Sequence, residues 1–287
     1  MKKPLILISL LLILVLALTA CSAKFDPEKN ISVLAREDKS GTKTAFMELI
    51  GLKDKADPAN VIIQIGTQPI LAEVKSNPHA IAYESLGYVT KDVKKLTVNG
   101  VEATVENIKN GTYSISRPLS VVYKESTLSN PLYQAFLTFL QSSDAQEIIK
   151  KEGYVSVVDN APKYTVNGSL SGTIEISGST SLQPLMIELR DAFKVLQPNV
   201  TINVSGGGSG TGYNNAENGV SNFGMISAEF VQTNAPSCTY YEVAKDGIAV
   251  IVNKKNPLNN ITMEQLKNIY NVDAGANAIS KWNELVE

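Results

Sequence analysis

The tripeptide Ser-Gly-Thr occurs twice in the sequence, at residues 40–42 and 209–211, each time where a helix is predicted to begin. Small residues let a backbone approach a ligand closely, and the free N–H groups at the positive end of a helix dipole bind anions. Serine and threonine hydroxyls add further donors. Two such loops predict two walls of one site for an oxyanion.

Arg36 shares the first of these loops and is one of three arginines in the sequence. A guanidinium group can hold a tetrahedral oxyanion through two N–H groups at once. We expect Asp38 to hold Arg36 in place, with a plain surface pair between the two as the alternative. Arg190 is expected to pair with Asp191 on the surface, and Arg117 to serve a structural turn.

A third loop rich in hydroxyls, residues 178–181, also precedes a predicted helix and has more hydroxyls than an N-cap requires. The glycine run at 206–212 is followed by Tyr213 and Asn214 instead of the lysine and serine or threonine of a nucleotide-binding P-loop. A plain flexible loop is the alternative for this run. Three helix starts with hydroxyls, one arginine and no catalytic base predict binding rather than catalysis.

Histidine and cysteine are too scarce for most metal or redox chemistry. His79 is the only histidine, so sites with several histidines are excluded, and we expect it in an exposed loop. The sequence has two cysteines, Cys21 and Cys238, and Cys238 is interpreted as structural. No metal or cofactor is expected. The 26 basic and 28 acidic residues form no basic stripe, which argues against nucleic acid as a partner.

The N-terminal segment has the three regions of a secretory signal. Lys2 and Lys3 precede an apolar stretch at 5–18, and Leu-Thr-Ala then leads directly into Cys21. This pattern predicts a lipoprotein signal peptide at 1–20, with an ordinary signal peptide as the alternative. Acyl chains on Cys21 would anchor the protein to the cell membrane on its extracytoplasmic face.

Strand-like and helix-like segments alternate along the rest of the chain, which predicts an α/β fold with parallel or mixed sheets. Loops at the carboxyl ends of such strands hold ligands. A polar stretch with proline and glycine at 159–172 predicts a linker. The strands are predicted at 31–35, 61–65 (buried), 80–83, 119–123, 173–177, 200–204 and 247–252, and the helices at 43–52, from 67, at 131–151, through Leu185 to Leu196, and at 262–270.

These segments together resemble the phosphate-binding proteins of phosphate ABC importers, which have a bilobed periplasmic-binding-protein fold of type II topology. The resemblance covers nearly the whole chain after the signal. It is based on six segments, 36–42, 80–88, 116–119, 176–185, 206–212 and 246–253.

The order of the segments departs from the family, because the half with the arginine loop comes first here. The chain therefore resembles a circular permutant in which the linker at 159–172 joins the old ends, and permutation is feasible where ends lie close at the surface. The alternative is one piece of a tandem gene, whose halves pair with another chain. The resemblance implies a discontinuous lobe at 24–112 plus 245–287 and a continuous lobe at 113–244.

The resemblance also implies the phosphate ligands. They are expected to come from the arginine loop, the 178–182 segment and the glycine run, with Leu182 acting through its backbone. Some family members place an aspartate, which accepts the phosphate proton, near the position of Ser227, so the selectivity for phosphate over sulfate is left open. The expected ligand residues are Arg36, Ser40, Gly41, Thr42, Thr180, Ser181, Leu182, Ser209, Gly210 and Ser227.

The function implied by the resemblance is an extracytoplasmic lipoprotein that binds inorganic phosphate and delivers it to the permease subunits of an ABC importer. It is not an enzyme on this interpretation. Two alternatives remain, a phosphatase on the same scaffold and an oxyanion sensor that transports nothing.

Overall fold

The computed structural model describes residues 24–166 and 168–286. The predicted signal peptide and Cys21 lie outside these residues. None of the helices in the described segments is long and apolar enough to cross a membrane.

The strands that form the main sheet run in the order β2-β1-β3-β10-β6-β9-β7-β8, and β4 pairs with β10. The sheet is mixed, as predicted, because both ends are parallel and the middle is antiparallel. The strands are β1 (Ser32–Arg36), β2 (Ile62–Gln64), β3 (Ala80–Ser85), β4 (Lys94–Lys95), β5 (Thr97–Val98), β6 (Ser116–Tyr123), β7 (Gly172–Gly178), β8 (Val200–Gly206), β9 (Phe223–Ile226), β10 (Thr239–Val252) and β11 (Asn260–Ile261).

Helices connect the parallel strands at both ends of the sheet. They are α1 (Gly41–Leu49), α2 (Thr67–Ser76), α3 (Val105–Lys109), α4 (Pro131–Leu140), α5 (Ser143–Lys151), α6 (Gln183–Leu196), α7 (Ser209–Glu217) and α8 (Met263–Tyr270). Thr262 and Gln265 form a reciprocal capping box that starts α8 at the predicted place.

Two predictions about these elements are wrong in detail. The segment 61–65 forms a strand, but β2 lies at the edge of the sheet, where Ile62 and Ile63 stay about half exposed. The helix predicted at 131–151 is two helices, because the Ser142 hydroxyl accepts a hydrogen bond from the Ala145 amide and starts α5.

Two antiparallel strands in the middle of the sheet join its two ends. β6 and β10 pair along eight register positions, with Arg117 opposite Asp246 and a bulge between Glu242 and Ala244. β10 has 14 residues, much longer than the predicted segment, and it also pairs with β3. β10 thus contacts the parallel strands of the first part of the chain, and β6 contacts those of the second part through β9.

Apolar side chains collect in two main clusters, one on each side of the crossing strands. The terminal core draws on residues 31–115 and 248–282 together with Val155 and Ala228, and the central core on other residues between 119 and 244. In the terminal core, Phe46 stacks on Tyr83 with a centroid distance of 3.8 Å. In the central core, Phe193 of α6 packs against Phe136 of α4. Each fully buried side chain of this kind contributes roughly 1.5–3 kcal/mol.

His79 packs between segments that are distant in sequence and is not the exposed loop residue that was predicted. The side chain is half-buried and stacks on Phe25. Its Nε2 accepts a hydrogen bond of 2.9 Å from the Asp26 amide. The carbonyl of His79 accepts a further bond from the indole of the buried Trp282. This residue thus ties both ends of the described chain to the strand that follows it.

Candidate anion-binding site

The first wall of the site is the loop between β1 and α1. Arg36 is the last residue of β1, and the chain then turns through Lys39, whose φ of 65° lies in the left-handed region. The Ser40 side chain caps α1 by accepting a hydrogen bond from the Lys43 amide at 3.4 Å. Gly41 and Thr42 follow at the start of the helix, so Ser40-Gly41-Thr42 begins a helix as predicted.

Arg36 is almost completely buried, with 1% of its surface exposed, and two carboxylates hold it. Its Nε and Nη2 donate to the two oxygens of Glu37 at 2.9 and 3.0 Å, which is a bidentate pair. Its Nη1 donates to Glu84 and to the Thr67 hydroxyl, both at 3.2 Å. The guanidinium is therefore fixed from two sides, and Nη2 can still donate a hydrogen bond toward the second half of the chain.

Asp38 does not hold Arg36, contrary to the sequence prediction. Its carboxylate is 92% exposed and pairs with Lys43 at 2.8 Å. The residue is displaced because the chain turns away from the strand at this point, so that Glu37 faces the guanidinium instead. The alternative of a surface pair between Arg36 and Asp38 is wrong for the same reason.

The second wall is the loop after β7. Gly178 has a φ of 133°, and its close contact with the Gly212 backbone leaves no room for a Cβ. The Ser179 hydroxyl accepts hydrogen bonds from the amides of Ser181 and Leu182, both at 3.2 Å. Ser179 thus organises the start of α6, which frees the hydroxyls of Thr180 and Ser181 for contacts across the site.

The third wall is the glycine run between β8 and α7. The N-cap of α7 is Gly208, which has a φ of 84° and no side chain with which to cap the helix. The Ser209 hydroxyl turns inward and accepts a hydrogen bond from the Ser227 amide at 3.0 Å. Thr211 instead bonds back to the Gly207 carbonyl at an exposed position. The second Ser-Gly-Thr therefore begins a helix as predicted, but it uses its hydroxyls differently.

Direct contacts join the first wall to the other two. Arg36 Nη2 donates to the Thr180 hydroxyl at 2.8 Å, and the hydroxyls of Thr42 and Ser181 lie 2.8 Å apart. The Gly210 amide donates to the Lys39 carbonyl at 3.2 Å. These contacts bring residues about 140 to 170 positions apart in the chain into one cluster of donors.

Gly41 lies at the point where the first wall meets the third. A Cβ at this position would be 2.6 Å from the Ser227 hydroxyl and would collide with the Ser209 hydroxyl. Glycine is therefore required for the close approach. A cavity of ≈ 470 Å³ opens beside it, lined among others by Lys39, Gly41, Ser209 and Gly210.

The structure brings most of the residues expected at the site together, but the expected ligand groups of Ser40 and Leu182 are already used in hydrogen bonds within the protein. The Ser40 hydroxyl is engaged in capping α1, and the Leu182 amide is engaged by Ser179. Ser227 lies inside the cluster with 1% exposure, where its hydroxyl accepts a hydrogen bond from Ser179 at 2.9 Å. The residues that meet in the cluster are Arg36, Gly41, Thr42, Thr180, Ser181, Ser209, Gly210 and Ser227.

Sequence reasoning missed three residues that surround the guanidinium: Glu37, Glu84 and Thr67. The signal for Glu84 was a carboxylate inside an otherwise apolar strand, where an ionisable side chain needs a charged partner. Thr67 gave no such signal, because it contacts Arg36 only through the folding of α2 against β1.

The pKa values of the two carboxylates beside Arg36 are shifted in opposite directions, although Arg36 lowers both. Burial raises the pKa of Glu84, and the positive charge of Arg36 offsets this effect only in part. Partial burial would also raise the pKa of Glu37, but the hydrogen bonds and charge of Arg36 outweigh it and lower the pKa. Glu37 is thus an ionised acceptor, whereas Glu84 holds a proton more readily than a free glutamate.

The other residues considered from the sequence lie outside the cluster or at its edge. Arg190 pairs with Asp191 at 2.8 Å on the surface, as predicted. Arg117 lies within β6, not in a turn, and forms a buried ion pair with Asp246 at 3.0 Å. Cys238 is a buried free cysteine, and burial raises the pKa of its thiol to about 11, which fits a structural role. Within the described residues, no group of His, Cys, Asp and Glu side chains could hold a metal ion.

Comparison with known proteins identifies the family. The family model described as the PBP superfamily domain matches residues 19–144 and 165–286. The chain belongs to the PBP superfamily. The predicted α/β class and periplasmic-binding-protein fold are therefore confirmed.

Curated relatives place the chain more closely within this superfamily, in the family of the phosphate-binding proteins PstS. The phosphate-binding protein PstS 2 of Streptococcus agalactiae is 35% identical over 250 residues, which cover 84% of each chain. The protein of the same name from Streptococcus pneumoniae is 33% identical over 258 residues and 88% of each chain. The phosphate-binding protein PstS of Bacillus subtilis is 31% identical, but only over 147 residues, 50% of this chain and 47% of its own.

A solved structure agrees with these relatives. The crystal structure of the phosphate-binding protein of a phosphate ABC transporter from Streptococcus pneumoniae superposes with a TM-score of 0.71 at 32% identity. The match covers 89% of this chain and 99% of that chain. The resemblance derived from the sequence motifs is thus confirmed across nearly the whole molecule.

Proposed function

We propose that this protein is a receptor that binds inorganic phosphate and passes it to the permease subunits of an ABC importer. The observation that carries the proposal is the buried Arg36 guanidinium, which points Nη2 at a cluster of hydroxyls and helix N-termini from three loops. Charge-assisted hydrogen bonds of this kind are shorter and stronger than neutral ones. The relatives named as phosphate-binding proteins support binding rather than hydrolysis.

Phosphate would be bound between two lobes that close on it. The discontinuous lobe would comprise residues 24–112 plus 245–287, and the continuous lobe residues 113–244 with the linker at 159–172. Two main hydrophobic clusters, with the long strands β6 and β10 running between them, support this division, although Val155 and Ala228 of the continuous lobe pack in the terminal core. Closure about β6 and β10 would then bring Arg36 and Thr42 against Thr180, Ser181 and Ser209.

The order of the lobes is best explained by circular permutation. Streptococcal relatives align with most of the chain in one match, whereas the Bacillus subtilis relative aligns with about half of each chain. A sequential alignment can follow a permuted relative through one half only. Both crossing strands and all three walls also belong to this single chain, which favours a self-sufficient receptor over a fragment that pairs with another chain.

The lipid anchor is part of the same proposal. Cys21 follows Leu-Thr-Ala directly, and the first described strand begins only at Ser32. Acyl chains on this cysteine would hold the receptor at the extracytoplasmic face of the cell membrane, within reach of a permease.

Calorimetric titration of the mature protein with phosphate tests the proposal. We expect saturable binding with one phosphate per chain, and at least 100-fold weaker binding in Arg36→Lys, because an ammonium cannot keep the two-sided contacts of the guanidinium. Arg190→Lys is the matched control and should bind like the wild type. A folded wild-type protein that binds no phosphate would overturn the proposal.

A further inference from the structure

The proposed lipid anchor lies very close to the folded part of the chain. Three peptide bonds separate Cys21 from Lys24, the first residue that the structure describes. Even a fully extended stretch of this length spans no more than about 11 Å. Phe25 already belongs to the fold, because its ring packs against those of His79 and Trp282, each at a centroid distance of 5.6 Å. The surface around Phe25 must therefore lie beside any lipid carried by Cys21.

The anion cluster lies at the far end of the strands that begin beside Phe25. The Ser32 amide, at the start of β1, donates to the carbonyl of His79, the residue before β3, at 2.8 Å. Arg36 is the last residue of β1. Because a strand rises about 3.3 Å per residue, Arg36 lies roughly 13 Å beyond Ser32 along the sheet. The parallel strands β1 and β3 thus start near the anchor and end near the cluster.

Other segments join the N-terminal segment at this end of the strands and form one continuous face. The Asn256 side chain donates to the Pro78 carbonyl at 3.5 Å, and the Asn253 side chain to the Lys75 carbonyl at 2.7 Å. Lys75 in turn pairs with Asp92 at 2.9 Å. We call this surface the anchor face, and it comprises residues 24–31, 75–79, 91–92, 253–256 and 280–284.

The anchor face is basic, although the chain as a whole is slightly acidic. Its segments contain seven lysines, all exposed, and four carboxylates, whereas the whole chain has 26 basic and 28 acidic residues. The pKa of Asp92 is lowered, first by its pair with Lys75 and further by the positive charges of Lys254 and Lys91. Lysines gathered beside a lipid anchor are attracted to anionic headgroups. The charge of this face therefore matches an anionic membrane.

We infer that the anchor face rests on the anionic surface of the membrane and that the anion cluster is thereby held away from the lipid. The inference rests on the proposed function, through the acyl chains on Cys21. The negative potential of such a surface falls off within a Debye length, about 8 Å at physiological ionic strength. Arg36 is farther than this from the start of β1, so the lipid charge does not oppose the capture of phosphate.

Vesicle binding of the mature protein with Cys21→Ser, which cannot carry acyl chains, tests the charge of the face. We expect it to bind vesicles of equal parts phosphatidylglycerol and phosphatidylcholine at least tenfold more tightly than vesicles of phosphatidylcholine alone. Adding Lys24→Glu, Lys91→Glu and Lys254→Glu should weaken binding to the anionic vesicles at least tenfold. Co-sedimentation with the vesicles measures both ratios.

The matched control reverses three exposed lysines that lie outside the anchor face. Lys150→Glu, Lys163→Glu and Lys194→Glu change the net charge by the same amount. This variant should bind the anionic vesicles within threefold of the unsubstituted protein, because charges farther away than a Debye length are largely screened.

The acylated protein on the same anionic vesicles tests the orientation directly. An amine-reactive label should modify Lys24 and Lys254 at least fivefold more slowly than in the Cys21→Ser protein in solution, because the membrane covers them. Lys163 and Lys194 should react at their solution rates. Mass spectrometry of the labelled peptides measures each rate.

The outcomes separate this inference from the proposed function. Equal binding to the two kinds of vesicle overturns the inference. Equal weakening in the two triple variants also overturns it, because net charge alone would then explain the binding, and so does unchanged labelling of Lys24 and Lys254. Both triple variants should bind phosphate within twofold of the wild type in calorimetric titration. A folded wild type that binds anionic vesicles but no phosphate would overturn the proposed function and leave the charge of the anchor face established.

Discussion

Two buried arginines, Arg36 and Arg117, each pair with buried or partly buried carboxylates, yet their remaining N–H groups donate to different kinds of acceptor. Arg117 donates to the Asp246 carboxylate at 3.0 and 3.3 Å and to the Ser227 carbonyl at 2.9 Å. Arg36 has two carboxylates and also reaches two hydroxyls, of which Thr180 lies across the cluster. A hydroxyl can exchange its partner for a ligand oxygen, whereas a carbonyl or carboxylate fixed in the fold cannot.

The difference teaches how to tell a binding arginine from a structural one when both are buried. Arg117 lies directly opposite Asp246 in the register of the crossing strands, so its pair stabilises the connection between the two ends of the sheet. Arg36 lies at the carboxyl end of β1, where the sheet ends and the loops begin. Burial alone does not separate the two, but the partners of each donor do.

Removing Arg117 is expected to have the largest effect on stability. Arg117→Met leaves Asp246 buried without its cation, and breaking a buried pair in this way costs about 3–5 kcal/mol. Urea unfolding measures the loss. Phosphate affinity should fall less than in Arg36→Lys, because no donor of Arg117 faces the proposed ligand.

The double variant Arg117→Met/Asp246→Leu is the control for this experiment. It removes both charges and should recover most of the lost stability, since replacing a buried pair by apolar groups is often neutral. A single variant that costs less than about 1 kcal/mol, against this range for buried pairs, would contradict the structural role of Arg117.

The sequence predicted the walls of the site well because local signals specify them. Ser-Gly-Thr at residues 40–42, the hydroxyl-rich loop at 178–181 and the glycine run all precede helices, as cap and turn chemistry requires. The same signals predicted the alternation of strands and helices that aligns these loops at one edge.

The partners of the arginines could not be predicted in the same way. Asp38 and Glu37 both neighbour Arg36 in sequence, and only the left-handed turn at Lys39 and the amide of Gly66 decide which of them faces the guanidinium. Asp246 is 129 residues from Arg117, and their pairing depends on the register of β6 and β10. Such contacts follow from tertiary structure, and no spacing along the chain encodes them.

The two carboxylates on Arg36 should show opposite pH dependences of stability. Because the pKa of Glu84 is raised in the folded state, its contribution is complete below the ordinary value near 4.5 and is lost as the pH rises through the raised value. The pKa of Glu37 is lowered, so its contribution is present above the ordinary value and is lost as the pH falls through the lowered one.

Unfolding measured in urea from pH 3 to pH 8 tests this contrast. In Glu84→Gln the free energy of unfolding should lose the decline toward neutral pH that Glu84 causes, which is up to about 1.4 kcal/mol per pH unit, the slope for one proton. Glu37→Gln should leave the neutral side unchanged and flatten the acid side. The pKa of Asp246 is also raised, so part of the decline of the unfolding free energy toward neutral pH should remain in both variants. Identical profiles for the two variants would contradict the opposite shifts.

Substitution of Arg190 is expected to have the smallest effect on stability and phosphate affinity. It tests whether an arginine contributes to phosphate binding through its local contacts or merely through its charge. The Arg190 side chain lies on the surface of α6 and pairs with the neighbouring Asp191 at 2.8 Å. Exposed pairs contribute about 0–1 kcal/mol, and charges farther apart than about 10 Å are largely screened at 0.1 M salt. Arg190→Ala should therefore change the free energy of unfolding by less than about 0.5 kcal/mol and phosphate affinity by less than twofold. If phosphate affinity instead fell tenfold in calorimetric titration, long-range attraction by positive side chains outside the site, and not the local contacts of Arg36, would have to explain how the anion is held.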